Sequence, residues 1–499
     1  MVLPRLWITL ALLITTSTAC TSATNRGSKD NKDGQSLFGS DVQDNSKNCY
    51  VSTKDDRLKN FYANPPTQTP EAAPQAKSAN SFVVAKDGVA MANVTDWVAK
   101  DKAKRGADSK YFRYAYIPFS MLKDQTSANA ARVALFKALN STAVYESGNY
   151  VGDDVSDGQG AVYAIDVRKL WGQANPDDGV AVYNCVANPL DKDGNVALRT
   201  GIISIERMSL ANFPADQPVN AARLVYNLLF PNVYDVLIDT PQFQSDLLRD
   251  LGIDQIDYDK ILAWVGIKDS IVFGPRVAKM VRTVDGRNYW ASQDYFDGAE
   301  HTEMPYAHDV SPVPVLEGDD GWVTLPGRNN DGSYSYDQGA AEASEAWVEM
   351  RNGFLAYYIW GNAHQERGRA EQSFVIDPDN QVNGYLLTGR SCITCHKSGP
   401  QAAPNQMRQL VDAGTVTQDV EKAKEIWTPQ TTLDQYYDET KSHFSAAMTQ
   451  IVNQVSDDDP AQNASWIHGQ GDEPIKFLVT YVEAGNLDGP TGSGPSSGQ

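Results

Sequence analysis

The sequence predicts an α+β body followed by a small all-α domain. Two patterns in the chain carry this prediction. Up to about residue 385, short runs of aromatic and β-branched residues, typical of strands, alternate with segments whose apolar residues recur at helical spacing. After residue 386 only the helical spacing recurs. The chain has 499 residues, of which 41% are hydrophobic and 21% charged, so it can bury a packed core.

The body is predicted to span residues 82–385. Its expected strands lie at 114–117, 161–167, 201–205, 321–325, 346–350, 354–360 and 372–376. Its expected helices lie at 128–140, 221–230 and 242–251. Asn352-Gly353, between two of the strands, is a dipeptide that favours a tight hairpin turn, so these two strands are expected to pair.

The second domain is predicted at 386–487. Apolar side chains form one stripe along residues 432–455 and another along 473–484, which predicts two helices. The acidic segment between them, 456–471, is expected to be a loop.

The N-terminus has the pattern of an export signal. Arg5 precedes an apolar run that is too short to span a membrane. The small residues before Cys20 resemble the site at which bacterial lipoproteins are cut and lipidated. We therefore expect a signal peptide at 1–19 and a lipid anchor on Cys20, in the outer membrane because Ser22 replaces the Asp that signals inner-membrane retention. Ordinary cleavage after Ala19, giving a soluble periplasmic protein, is the alternative.

Two segments are predicted to be disordered. Residues 20–81 are rich in polar residues and proline. They are predicted to form a solvated tether between the anchor and the body. Residues 488–499 contain no apolar side chain and are expected to form a disordered tail.

The charge balance restricts the partners. The chain carries 63 Asp and Glu against 43 Lys and Arg, a formal net charge of −20. Nucleic acids and acidic lipid surfaces need basic patches, so we expect no nucleic-acid partner. After the N-terminal signal no run of apolar residues is long enough for a membrane span, so the membrane is expected to be reached by the lipid anchor.

The segment from Cys392 to His396 reads C-x-x-C-H, the pattern that attaches haem c covalently. Two cysteines three residues apart can both form thioethers with one porphyrin, so Cys392 and Cys395 are the predicted attachment sites. His396 is then the proximal iron ligand, and Pro400 stands where a backbone carbonyl often accepts the imidazole N–H. A redox-active C-x-x-C or half of a zinc site are the alternatives, although zinc would need two further ligands at short spacing.

The sixth iron ligand is left open by the sequence. Met448 follows the motif at a plausible separation but lies on an apolar stripe, where core packing is its other role. His468, in the expected loop before the last helix, and His308, from the body, are the other candidates, as is an open sixth position. His443 is expected to be solvated and Met407 to lie in the core.

Two cysteines remain after these assignments. Cys49 and Cys185 would both lie in an oxidising compartment. A disulfide between them would join the end of the tether to the body, while two free thiols are the alternative.

Five segments taken together resemble the large single-haem cytochrome c-like proteins of environmental bacteria. They are Arg113-Tyr114 with the helix that follows, 162–168, 345–357, 389–396 and 473–475, within 111–487. The Gly-Gly pair that usually precedes the 345–357 hairpin is replaced here by Ala343-Ser344. The resemblance implies one haem on an accessory, cytochrome c-like all-α domain, and it supplies no substrate.

The expected function is electron transfer through one covalent haem c, with a redox protein as partner. Two alternatives stay open. The first is a peroxidase-like haem enzyme with an open sixth iron position. The second is a lipoprotein whose body binds a ligand and whose haem is accessory.

Overall fold

The structure is a computed structural model. It describes residues 89–144, 148–172, 175–187, 217–241, 244–253, 261–267, 276–294, 327–328, 334–335, 343–361, 366–367, 386–415 and 420–485. Cys20, Cys49 and His308 lie outside the described residues. So do the predicted signal peptide, nearly all of the predicted tether, the predicted tail, and the expected strands at 201–205, 321–325 and 372–376.

One sheet has four strands and lies early in the chain. Its strands are β1 (Phe112–Tyr116), β2 (Asp153–Asp154), β3 (Val162–Asp166) and β4 (Val219–Asn220), in the order β2-β3-β1-β4. Strand β1 is antiparallel to β3 and parallel to β4. Every residue of β1 and β3 is buried, because these aromatic and β-branched runs have packed neighbours on both faces. The strand predictions at 114–117 and 161–167 are confirmed.

The larger sheet has six strands, all antiparallel. They are β5 (Ala263–Ile267), β6 (Arg276–Arg282), β7 (Asn288–Asp294), β10 (Ala343–Glu349), β11 (Leu355–Gly361) and β12 (Glu366–Arg367), in the order β12-β11-β10-β7-β6-β5. A separate pair is formed by β8 (Gly327–Arg328) and β9 (Tyr334–Ser335). The hairpin predicted at Asn352-Gly353 joins β10 to β11 and is confirmed.

In the described chain, α-helices both precede and follow the larger sheet. Before the larger sheet they are α1 (Met91–Arg105), α2 (Gln125–Asn140), α3 (Arg168–Trp171), α4 (Pro176–Ala187), α5 (Ala221–Leu228), α6 (Pro231–Leu237) and α7 (Gln244–Asp250). After it they are α8 (Arg390–Cys395), α9 (Gln406–Asp412), α10 (Val420–Ile426), α11 (Gln430–Val455), α12 (Pro460–His468) and α13 (Pro474–Glu483). In the described part of the chain, none of these helices has the length and apolar character needed to cross a membrane.

The prediction of a loop at 456–471 is wrong, because helix α12 lies within this segment. Asp459 accepts hydrogen bonds from the backbone N–H groups of Ala461 and Gln462, and Pro460 occupies the first turn. An aspartate cap followed by proline starts a helix without any apolar stripe, since it satisfies two N–H groups that would otherwise be unpaired.

The fold is α+β, as predicted, with one large buried cluster. Helices α2, α5 and α13 pack against one another, and α11 packs on α2. The cluster therefore combines side chains from the predicted body, such as Phe136 and Leu224, with Phe444, Ile475 and Leu478 from the predicted second domain. The two predicted regions share this core. A separate cytochrome c-like domain at 386–487 stays a prediction.

Helix α11 lies across one face of the six-stranded sheet. Leu433 and Tyr437 of the helix form a second buried cluster with Val265, Met280 and Trp290 of the strands. Polar pairs between the sheet and α11 continue this contact toward the middle of the helix. They join Asn288 to Thr440, Arg282 to Glu439 and Glu349 to His443.

The His443–Glu349 pair predicts a pH dependence of stability. Its hydrogen bond to Glu349 raises the pKa of His443, and the charges of Glu349 and Glu439 act in the same direction against burial and Arg282. A raised pKa in the folded protein means that the stabilisation is complete below about 6.5 and is lost as the pH rises through the raised value.

We therefore expect His443→Gln to lower the denaturant midpoint at a pH of about 5.5 and to leave it nearly unchanged at a pH of about 9.5. Unfolding curves of both proteins at the two pH values measure this. An equal loss at both values would show that the imidazole contributes by packing and not by charge.

Candidate functional site

The predicted haem motif lies on the short helix α8. Gly389 starts this helix with a φ of +81°, and a Cβ atom there would come within 2.5 Å of the Tyr234 ring. Only glycine allows both this backbone conformation and this close approach. The Leu387 N–H donates to Ser391 Oγ at 2.9 Å, and Arg390 pairs with Glu483 of α13 at 2.6 Å. The first turn of α8 is therefore held against the core.

The two cysteines of the motif form no disulfide and are half-buried. Cys392 and Cys395 are three residues apart on one helix, so they project from neighbouring positions on its surface. The N–H of His396 donates to the Cys392 carbonyl at 2.8 Å, which continues the helical turn to the histidine. All three motif side chains are thus carried by one turn of backbone.

The imidazole of His396 has a defined orientation. Its Nδ1 lies 3.3 Å from the carbonyl oxygen of Gly399. A carbonyl can only accept, so Nδ1 carries the proton and Nε2 keeps the lone pair that a metal needs. The accepting carbonyl belongs to Gly399 and not to Pro400, which corrects the expectation. Gly399 has a φ of +93° and lies against the Phe444 ring.

Burial lowers the pKa of His396, while the negative charge of Glu345 opposes this shift. The imidazole is therefore neutral at neutral pH. That is the protonation state in which histidine binds metals.

A tyrosine of the sheet completes the surroundings of the motif. The Tyr357 ring lies 5.2 Å from the His396 ring between centroids. Its hydroxyl is buried and, within the part of the chain that the structure describes, has no hydrogen-bond partner. Burial raises the pKa of Tyr357 well above its ordinary value. The electrostatic interaction of its hydroxyl with Cys392 and Cys395 acts in the same direction. The site thus combines two cysteines that form no disulfide with a neutral imidazole beside Tyr357, and the cysteines and imidazole are donors that fit a covalently attached haem.

A buried ion pair supports the loop that follows His396. Lys137 of α2 lies 2.8 Å from Glu473, and both side chains are almost fully buried. The Lys137 ammonium also donates to the Lys397 carbonyl at 3.1 Å. Glu473 accepts in turn from the Ile475 N–H and caps α13. This pair was not predicted from the sequence, because the two residues are far apart in the chain.

The candidate sixth ligands lie in different environments. Met448 is fully buried in the main cluster, and its role as a ligand stays a prediction. His468 is exposed and ends helix α12 instead of lying in a loop. The next residue, Gly469, lies against Lys397 and Ser398, so His468 is close to the loop that follows His396. His308 lies outside the described residues.

The structure also tests three further expectations. Met407 is 1% exposed, so its place in the core is confirmed. His443 is exposed, as expected, and it also pairs with Glu349. Cys185 is disulfide-bonded, whereas Cys392 and Cys395, the other cysteines of the described residues, form no disulfide. A pairing of Cys185 with Cys49 stays a prediction.

Comparisons with known proteins identify no relative. A scan against protein-family models, a search of curated proteins and a search of solved structures each find no match. The resemblance stated from the sequence therefore stays an expectation. Across the described ranges, no group of three or more His, Cys, Asp and Glu side chains is arranged to hold a metal ion.

Proposed function

We propose that the protein is an exported, lipid-anchored c-type cytochrome that binds one haem covalently and transfers electrons. One observation carries the proposal. A single turn of backbone presents two cysteines that form no disulfide, at the C-x-x-C spacing, and a histidine whose Nε2 is left available by the Gly399 carbonyl. When bound, haem would supply an iron that gains and loses one electron at a time.

Each residue of the site then has a defined task. Cys392 and Cys395 would hold the porphyrin through thioether bonds. His396 would be the axial ligand, with its ring orientation set by Gly399 and by contact with Tyr357. A fixed ligand suits electron transfer, because little structure must rearrange when the charge on the iron changes.

The arrangement of the chain around the motif agrees with a haem-bearing region. Helix α8 is followed by α9 to α13, so the described chain is helical in the region proposed to carry the haem. The body contributes Tyr357 beside the proximal histidine, so it would cover that side of the haem. This supports the body as a cover and docking platform for a redox partner. A net charge of −20 favours a partner with a basic or neutral surface.

The optical spectrum of the purified protein tests the proposal. We expect a low-spin spectrum in both redox states and no rapid change on adding cyanide, because a carrier keeps both axial ligands. One of Met448→Ala, His468→Ala and His308→Ala should then convert the spectrum to high-spin. If that variant is Met448→Ala, the potential should fall, since a thioether favours Fe(II). A high-spin wild type that binds cyanide rapidly would instead favour the peroxidase-like enzyme.

The proposed anchor gives a separate prediction. Cys20→Ser should move the protein from the membrane fraction to the soluble fraction, because the lipid on Cys20 would be its membrane attachment. Fractionation followed by a salt wash and immunoblotting measures this, and Cys49→Ser is the matched control that should stay with the membranes. A Cys20→Ser protein that still sediments after the wash would show that the anchor lies elsewhere.

A further inference from the structure

Four aromatic side chains lead away from the proximal histidine across one face of the six-stranded sheet. We call them the aromatic row: Tyr357, Trp347, Trp290 and Tyr437. Tyr357 contacts His396 with ring centroids 5.2 Å apart. The Trp347 and Trp290 rings are stacked at 5.9 Å, and the Trp290 and Tyr437 rings are stacked at 5.0 Å with only 13° between their planes.

The strand register places the first three of these rings side by side. Trp347 on β10 is directly opposite both Tyr357 on β11 and Trp290 on β7. Residues directly opposite each other in antiparallel strands project from the same face, with their Cβ atoms about 5 Å apart. Tyr437 reaches the row from helix α11, which lies on that face. Strand pairing therefore places Tyr357 beside Trp347, and ring stacking joins Trp347 through Trp290 to Tyr437 on α11.

The surroundings of the aromatic row determine whether an oxidised ring can lose a proton and how close the row comes to solvent. Trp290 is 3% exposed, and within the described chain its Nε1–H has no hydrogen-bond partner. An oxidised Trp290 ring would therefore have no adjacent base to take its proton. Trp347 is only partly buried, and Gln435 and Asp438, which flank Tyr437 on α11, are exposed. The far end of the row is thus close to the surface.

We propose that the aromatic row is a path for single electrons between the haem side of His396 and the surface of α11. This inference rests on the proposed function. In each transfer the haem iron loses one electron and passes from Fe(II) to Fe(III), while an electron-transfer protein docked at α11 gains that electron. Each ring of the row returns to its starting state, and Trp290 keeps its proton because it has no acceptor for one.

The test uses the haem-loaded protein with a ruthenium polypyridyl label. Gln435→Cys provides the attachment point on the exposed side of α11. A laser flash with an external quencher makes Ru(III), and the Soret absorbance then follows the transfer of one electron from Fe(II) haem to the label. We expect Trp290→Phe and Trp347→Phe each to slow this step about tenfold or more, because phenylalanine is far harder to oxidise. Trp290→Tyr keeps an oxidisable ring and should restore most of the rate.

Trp360→Phe is the matched control. Trp360 stacks on Tyr358 at 5.7 Å on the opposite face of the same sheet, so its replacement should leave the rate unchanged. Unchanged rates in both Trp290→Phe and Trp347→Phe, or an equal loss in Trp360→Phe, would overturn the path while leaving the haem assignment intact. In-gel haem staining of each sample distinguishes failure of the electron path from failure of the haem assignment. A wild type without covalent haem would overturn the proposed function itself.

Discussion

Replacing Cys392 and Cys395 together by alanine is expected to remove covalently attached haem completely. The two thiols would supply both thioether bonds, so haem in the variant would be released by denaturing electrophoresis. In-gel haem staining measures the result.

Thr394→Ala is the matched control for this double variant. It changes the same turn of α8, where the Thr394 hydroxyl donates to the Arg390 carbonyl at 2.9 Å, but leaves both thiols in place. Its haem stain should equal that of the wild type. Staining that survives loss of both cysteines would refute the assignment of the motif.

Lys137→Met is expected to destabilise the protein by about 3–5 kcal/mol, the usual cost of leaving one partner of a buried ion pair without its counter-charge. Glu473 would stay buried at 4% exposure with no cation beside it, and the Lys397 carbonyl would lose its donor. Denaturant unfolding at neutral pH measures the loss.

The double variant Lys137→Met with Glu473→Gln tests the reason for this loss. Glutamine keeps an oxygen that can cap the Ile475 N–H but carries no charge, so most of the stability should return. A single Lys137→Met variant within about 1 kcal/mol of the wild type would mean that this pair contributes no more than an exposed one.

The elements that the sequence predicted well are those with a strong local signal. Helix α11 has a long apolar stripe, and the β10–β11 hairpin has Asn352-Gly353 at its turn. Strands β5, β6 and β7 were missed, because β6 and β7 carry buried polar residues such as Lys279 and Asn288. Their stability comes from pairing with one another and with distant β10. The Asp285-Gly286 dipeptide between β6 and β7 is a hairpin signal that could have revealed them.

Some residues of the candidate site could likewise be predicted from the sequence, and others could not. Cys392, Cys395 and His396 were found because their chemistry requires a fixed spacing along the chain. Tyr357 and Lys137 were missed because they reach the motif only through the fold, and Lys137 contacts Lys397 across 260 positions of sequence. No local pattern encodes such a contact.

A covalent haem at one defined peptide is the central claim, and peptide mass spectrometry tests it most directly. Trypsin cuts after Arg390 and Lys397, which releases a short peptide containing Cys392, Cys395 and His396. In protein purified from its native envelope, this peptide should carry the added mass of one haem, and neither thiol should react with an alkylating reagent. The same peptide at its unmodified mass, with both thiols alkylated, would contradict the account.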